Sequence, residues 1–471
     1  MKRSIGFPIF SSENKKLADK NTILSEPIPS IDLLERACYR LAQFIESHYT
    51  TEQAFHLVCG SGNNGADGLC LARILNFQKY KIRVSILENN NQQTVENLIQ
   101  RNLLQNTPVK IHQIKTSHDL ILYPDEIIVD AILGSGLNKK VSGFIEELIF
   151  KINSLNTHVI SIDNPTGIGS WDHEGSYIQA SKTLCLGTLS PALLNRTFNQ
   201  DLEILDIGLN LEASNPLGWF LTSKHSRQFI DSIVPQKNKH HHKGSKGHVL
   251  LIGGNKSMHG AIAMSAQMAS KIGTGNVTVL SHPDSLYYLN GNPEIQFKSS
   301  ELTGKSTDYF DFEGYQAIGI GPGLDCNAAT TAFLSFLLGK RNLPPMVFDA
   351  DALNILSKNK NLFGKIPEDS IFTPHPKELE RIFGKFENEN EKWKILSDFS
   401  RKYGIHILAK DTYPILFCKD GEIYSCGTGT EKLAKGGSGD KLTGIIAGFM
   451  AQGLKTKHAA ICGMFLLNDL A

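Results

Sequence analysis

The stretch "FHLVCGSGNNGADGLCLARILNFQ", Phe55 to Gln78, passes from an apolar run through a loop of glycine and asparagine into apolar residues at helical spacing. A short strand that is apolar throughout is buried on both faces, and such strands belong to parallel sheets. Gly60, Gly62 and Gly65 let the backbone turn tightly and approach a ligand. Asn63 and Asn64 add side-chain amides and turn chemistry. The backbone amides that open a helix favour an anion, although many strand–helix turns are glycine-rich for packing alone.

The same alternation repeats outward. Upstream, "SIDLLERACYRLAQFIES" (30–47) carries helical periodicity behind Ser30 as a candidate cap. Downstream come "KIRVSILE" (81–88), "EIIVDAILG" (126–134), "THVISID" (157–163), "KTLCLG" (182–187) and "DLEILDIGL" (201–209), short and mostly β-branched. Strands alternating with helices predict a parallel sheet covered on both faces. Between about 210 and 246 the periodicity stops, and "GHVLLIGG" (247–254) restarts it. A chain of 471 residues exceeds one ordinary core. The expected division is therefore a first domain over 1–212, a linker over 213–240 and a second domain over 241–471. Both halves read as α/β, without a repeated sequence.

Composition narrows the function classes. With 41% apolar and 20% charged residues, the chain is globular rather than disordered. Forty-eight basic and 47 acidic residues leave a formal net charge of +1, so no long-range field attracts nucleic acid or an anionic membrane. Neither is expected as a partner. The eight cysteines include no C-x-x-C pair, which argues against zinc fingers. "MKRSIGFPIF" turns polar at "SSENKKLADK" too soon for a signal peptide, and no apolar stretch reaches membrane-spanning length. The expected compartment is a reducing cytoplasm. The run His240–His242, beside lysines, reads as solvated, since adjacent helical positions do not face one ion.

Asp130 and Asp163 each sit where an apolar strand ends and a turn begins, in "VDAILGSGL" (129–137) and "SIDNPTGI" (161–168). Ligands of doubly wound sheets bind outside the carboxyl ends of the strands, so three acid- or amide-bearing turns suggest one pocket. The bland alternative is that both aspartates cap helices.

"GSGNNGADG", "VDAILGSGL" and "SIDNPTG" resemble, in that order, the motifs of the NAD(P)H-hydrate epimerase family over most of residues 30–210. The resemblance implies a Rossmann-like three-layer sandwich. It implies that Asn63, Asn64, Gly65, Ala66 and Asp67, then Gly134, Ser135, Gly136, Leu137, Asn138, Lys139 and Lys140, and Asp163 contact the hydrated dinucleotide. It further implies a potassium ion on Asn64, Asp130 and Thr166, whose oxygens are hard ligands, and Asp163 as the acid/base group for inversion at C6. The family usually has glycine at the position of Ala66 and often serine at that of Thr166.

In the second half, "LAKGGSGDKLTGIIAGFMAQG" (433–453) places Asp440 where a helix over 441–452 would begin. Gly436, Gly437 and Gly439 let backbone amides converge on a phosphoryl group, and Asp440 stands ready as a general base for the acceptor hydroxyl. The alternative is an acid that only complements the helix dipole. Taken with "HKGSKGHVLLIGG", "HGAIAMSAQMASKIGTG", "IGIGPGL", "FDADALN" and "TPHPKELERIFG", this stretch resembles the ADP- or ATP-dependent NAD(P)H-hydrate dehydratase family, over about 240–471.

That resemblance implies a ribokinase-like three-layer sandwich. Ala261, Gly323, His375 and Asp440 would contact the hydrate; Lys410, Asp411, Thr412, Tyr413, Pro414 and Gly439 would contact the nucleotide, which would carry Mg2+. Where the family commonly reads Lys-Gly-x-x-Thr this chain has an acid at Asp411, unfavourable beside phosphates unless it faces solvent or a cation. Together the resemblances imply a bifunctional enzyme. It would interconvert the R and S hydrates of NADH and NADPH, then dehydrate the S form at the expense of ADP or ATP, and it would assemble as a homo-oligomer. Two other classes stand beside it: a ribokinase-like kinase that releases a stable phosphorylated product, and a scaffold domain of RNA–protein assemblies.

Overall fold

A computed structural model describes residues 6–88, 93–155, 157–172, 175–195, 198, 201–212, 214–233, 246–289, 291–303, 311–427 and 436–470. His240–His242 lie outside them. Two compact units emerge, one of Phe7–Gly218 and one of Trp219–Ala471 together with Met1–Gly6.

In the first unit a seven-stranded sheet runs Lys110–Ile114, Lys81–Leu87, Ala54–Cys59, Glu126–Ala131, Val159–Ile162, Lys182–Leu186, Asp201–Leu205. Every neighbouring pair is parallel. The chain reverses its direction of sheet growth between Ala54–Cys59 and Glu126–Ala131, which pair from Ala54 on Glu126 to Cys59 on Ala131. The helices Ser30–His48 and Asn63–Phe77 bury Leu41, Ile45, Leu69 and Leu75 on one face of the sheet. Phe144–Asn153 buries Leu148, Ile149 and Ile152 in a separate core cluster with Val58 and Ile128. Ser30 does not cap its helix: the N-cap is Pro29, and the Ser30 hydroxyl instead donates to Glu96 at 2.6 Å.

The turn quoted at the outset is tight for a steric reason. A Cβ on Gly65 would collide with the Gly60 carbonyl oxygen, and one on Gly60 with the Ile132 carbonyl oxygen, so the two loops touch through bare backbone. A Cβ on Gly62 would meet nothing within 4 Å.

In the second unit the strands follow the order Gly218–Leu221, Ile423–Cys426, Ile415–Phe417, His406–Ala409, Ile371–Phe372, Met346–Phe348, Ala317–Ile320, His248–Ile252, Asn276–Ser281, Ile295–Ser299. From His406–Ala409 to Ile295–Ser299 all neighbours are parallel. "YPILFCKDGEIY" folds as an antiparallel pair. The stretch expected as linker holds two elements. Trp219–Leu221 pair in parallel with Tyr424–Cys426, and Ser223–Ile233 is a helix whose Phe229, Ile230 and Ile233 pack on the core. Phe229, Ile230 and Ile233 fall at i, i+1 and i+4 and give this otherwise polar helix one apolar face.

Candidate active sites at the carboxyl ends of two sheets

At the reversal of the first sheet lies a cavity of about 460 Å³. Asn63, Asn64 and Asp67 line it from the helix Asn63–Phe77, Gly134 to Asn138 from the next turn, and Asp163 from the third. The three turns singled out by sequence thus meet where a doubly wound sheet opens a crevice. Gly65 and Ala66 do not line it: both are buried, and the Ala66 methyl packs in the apolar core. Lys139 and Lys140 also stand apart, Lys140 lying alongside Gly175.

Neither aspartate is a helix cap. Asp130 is fully buried and accepts from the Thr166 hydroxyl at 2.6 Å, the Thr166 amide at 2.8 Å and the Ser161 hydroxyl at 2.8 Å. All are neutral donors, and burial pushes its carboxyl above the usual range against them. The Thr166 hydroxyl also bonds the Leu133 amide at 2.9 Å, which tethers the turn that carries Gly134. Beside that turn, Asn64 buries both amide atoms, Oδ1 and Nδ2, with no partner among the described residues.

Asp163 is held at φ +68°, in the left-handed region. Its Oδ2 accepts from the Ser135 amide at 2.8 Å, and its Oδ1 takes a hydrogen bond from the Lys15 ammonium. Burial pushes the Asp163 carboxyl up, but Lys15 and the Ser135 amide outweigh it and hold the group below its ordinary value. Asp67 has no such balance: burial pushes it up to about 8, Lys15 opposing and Asp163 adding.

Lys15 and Asp19 also line the cavity and were missed by sequence. They belong to the helix Ser12–Ser25, capped by the Ser11 hydroxyl, which accepts from the Asn14 amide at 3.4 Å. A serine ahead of an acid in the first turn was the available signal.

In the second unit the functional candidates also collect at the carboxyl ends. Gly323 follows Ala317–Ile320 at φ +60°, where a Cβ would collide with the Met258 carbonyl oxygen and come within 3.3 Å of the Ala261 Cβ. Asp349 follows Met346–Phe348, fully enclosed, and accepts from Lys410 at 2.6 Å and from the Thr443 hydroxyl at 3.0 Å. The Lys410 amide bonds the Pro374 carbonyl at 2.9 Å, so the TPHP turn and Lys410 are tied together. A Cβ on Gly439 would lie 3.2 Å from the Lys410 ammonium and 3.4 Å from Asp349 Oδ2.

The expected helix begins earlier than 441: it spans Ser438–Ala451, with Gly437 as N-cap at φ +88° and Asp440 in the first turn. Gly444 lets it pass so close to His259–Lys271 that a Cβ would collide with the Ser265 carbonyl. The Ser265 hydroxyl donates to the Asp440 carbonyl at 2.7 Å. Burial first, then Asp349, push the Asp440 carboxyl up to about 6, with Lys410 opposing. A base at that value is half-ionised close to neutrality, where general bases are most effective.

His375 caps the helix Pro376–Phe383: its Nδ1 accepts from the Lys377 amide at 3.1 Å. Its own amide donates to Glu378 at 2.8 Å. Burial pushes Glu378 up to about 7. The Asp411 carboxylate turns onto the Thr412 amide at 2.8 Å, while Tyr413 packs its ring edge-on to Phe220 at 6.1 Å. Asp349 is the functional candidate missed here, although it stands inside the quoted "FDADALN". Among the described residues, no group of three or more His, Cys, Asp or Glu is placed to hold a metal ion. No described helix is long and apolar enough to cross a membrane.

Residues 249–471 match the family described as NAD(P)H-hydrate dehydratase, and residues 30–192 the family described as YjeF-related protein N-terminus. The bifunctional NAD(P)H-hydrate repair enzyme Nnr of Dictyoglomus turgidum is 30% identical, covering 97% of this chain and 92% of the relative. The enzyme of the same name from Coxiella burnetii is 29% identical, over 96% of this chain and 92% of its own length. A crystal structure of the ADP/ATP-dependent NAD(P)H-hydrate dehydratase from Bacillus subtilis, co-crystallised with ATP and Mg2+, is 27% identical with a TM-score of 0.44, over 53% of this chain and 87% of that one. Both halves of the sequence, in the same order and over nearly their whole length, therefore have counterparts in one set of relatives, and the chain belongs to the bifunctional NAD(P)H-hydrate repair enzyme family.

Proposed function

We propose that the first unit, Phe7–Gly218, interconverts the R and S hydrates of NADH and NADPH, and that the second, from Trp219 on, dehydrates the S form. The observation that carries the reading is the placing of Asp440. It lies in the first turn of a helix whose N-cap is Gly437, with Gly439 beside the Lys410–Asp349 pair, so a carboxylate adjoins a helix N-terminus, which favours anions. Asp440 takes the proton of the C6 hydroxyl as that oxygen attacks the terminal phosphate of ADP or ATP, releasing AMP or ADP. Phosphate then leaves with the C6–O bond and a proton leaves C5, which restores the C5–C6 double bond. Lys410 to Pro414 and Gly439 hold the nucleotide; Ala261, Gly323 and His375 hold the hydrate.

In the first unit Asp163 is the acid/base group for inversion at C6, and Asn63, Asn64 and Asp67 with Gly134 to Asn138, which line the cavity, hold the dinucleotide. Potassium fits Asn64, Asp130 and Thr166: a buried carboxylate bonded only to neutral donors and an unpartnered buried amide oxygen are what a cation would satisfy. Bound there, it would neutralise charge. Mg2+ belongs with the nucleotide phosphates, since this ion usually takes only one or two protein carboxylates. Asp349 and Asp351, both coupled electrostatically to Asp440, are the candidates.

All eight cysteines are free thiols, which suits a reducing cytoplasm. Assembly as a homo-oligomer is testable by light scattering.

The deciding experiment incubates the full chain and two variants with each hydrate epimer and ADP or ATP, following both epimers by chiral chromatography and the return of reduced-nicotinamide absorbance. Asp163→Ala should repair only the S hydrate, and Asp440→Asn neither. Full R-hydrate repair by Asp163→Ala removes the first assignment. A phosphorylated organic product in place of free phosphate would make the second unit a simple kinase.

A further inference from the structure

Lys15 reaches Asp163 across 148 positions of sequence, from a helix that lies outside residues 30–192, the segment matched by the first family. Its side chain is 17% exposed and that of Asp163 13%, so the pair is poorly screened by solvent. Asp163 does not stand alone among acids. Asp19 faces the same ammonium from the helix Ser12–Ser25, and Asp67 faces it from the helix Asn63–Phe77. Glu96 and Lys16 line the same cavity, the Cys185 thiol donates to the Asp163 carbonyl at 3.6 Å, and the Cys38 thiol lies against Asp67. Three carboxylates sharing one wall cannot all ionise without a cation, because like charges disfavour the charged form.

We propose that Lys15 is a positioning residue of the epimerase site: its ammonium fixes Oδ1 of Asp163 opposite the Ser135 amide and supplies the charge that keeps this carboxylate ionised to accept a proton from the hydrate. The role rests on Asp163 being the acid/base group. It also assigns work to the N-terminal helix, which closes one wall of the cavity and delivers the cation.

The test measures R-hydrate epimerisation by the full chain as a function of pH in Lys15→Met, Lys15→Gln and Lys15→Arg, with S-hydrate dehydration as a control for folding. Loss of the charge should move the acid limb of kcat/KM upward by about 1–3 pH units in both neutral variants, with rates recovering at high pH. Lys15→Arg should restore the native profile. A rate lowered equally at every pH, or left native, in Lys15→Met and Lys15→Gln overturns the proposal. In the Asp163→Ala arm, an inactive epimerase beside an unmoved Lys15 profile refutes Lys15 alone, whereas native R-hydrate turnover refutes the assignment of Asp163 as well.

Discussion

Lys410 donates to Asp349 at 2.6 Å, and that bond lies under the first turn of the helix carrying Asp440. Asp349 is 1% exposed, so its charge has little solvent to fall back on. Deleting one member of a buried pair leaves the other uncompensated, at a cost of about 3–5 kcal/mol. Lys410→Met should therefore destabilise the second unit by about that amount in urea unfolding. Interconversion of the hydrate epimers should continue under conditions where the variant stays folded.

The pH dependence of dehydration should follow Asp440. A base pushed up to about 6 is lost to protonation as pH falls through that value, so dehydration should decline below it. Asp349 adds to the upward push, so Asp349→Asn should move the acid limb to lower pH. Dehydration of the S hydrate, followed by absorbance across the pH range, checks both.

Gly134→Ala should impair the first reaction selectively. Its new Cβ would lie 2.7 Å from Asp163 Oδ2, closer than real contacts allow, and must displace the carboxylate. The backbone at Gly134 is not in the left-handed region, so the fold should survive. R-hydrate turnover should fall by 10-fold or more (about 1.4 kcal/mol), a loss on the scale of a misplaced reacting group, with S-hydrate dehydration unchanged.

Asp67 should make the first unit less stable as pH rises. An unfolded aspartate ionises near pH 4, whereas the folded one keeps its proton to about 8. Folding therefore binds a proton between those values, and stability falls as pH climbs through them. Asp67→Asn should flatten that decline. Thermal melts at both ends of the window, wild type against variant, give the comparison.

Much of the fold was legible because buried parallel strands announce themselves: "HLVC", "IIVDA" and "VISI" are apolar runs with β-branched residues that have few other uses. Asp130 and Thr166 were legible as partners only through family motifs; their bond at 2.6 Å joins turns 36 residues apart. Lys15 and Asp349 were not. Each matters through distant partners, Asp163 for Lys15 and Lys410 and Thr443 for Asp349, and single-sequence periodicity carries no information about which strand end a remote side chain will reach. Gly218–Leu221 escaped for a related reason: four residues are too short a run to stand out, and their pairing with Tyr424–Cys426 is fixed by a partner about 200 positions away.

The backward-turned backbone at Asp163, φ +68°, restricts what heredity can place there. Glycine, asparagine and aspartate enter that conformation at low cost, while bulkier or β-branched side chains do not. Of the three only aspartate is acidic. Lineages that cease to need stereochemical inversion should thus drift to asparagine or glycine at this position and keep an intact but mute first half, recognisable by a single letter.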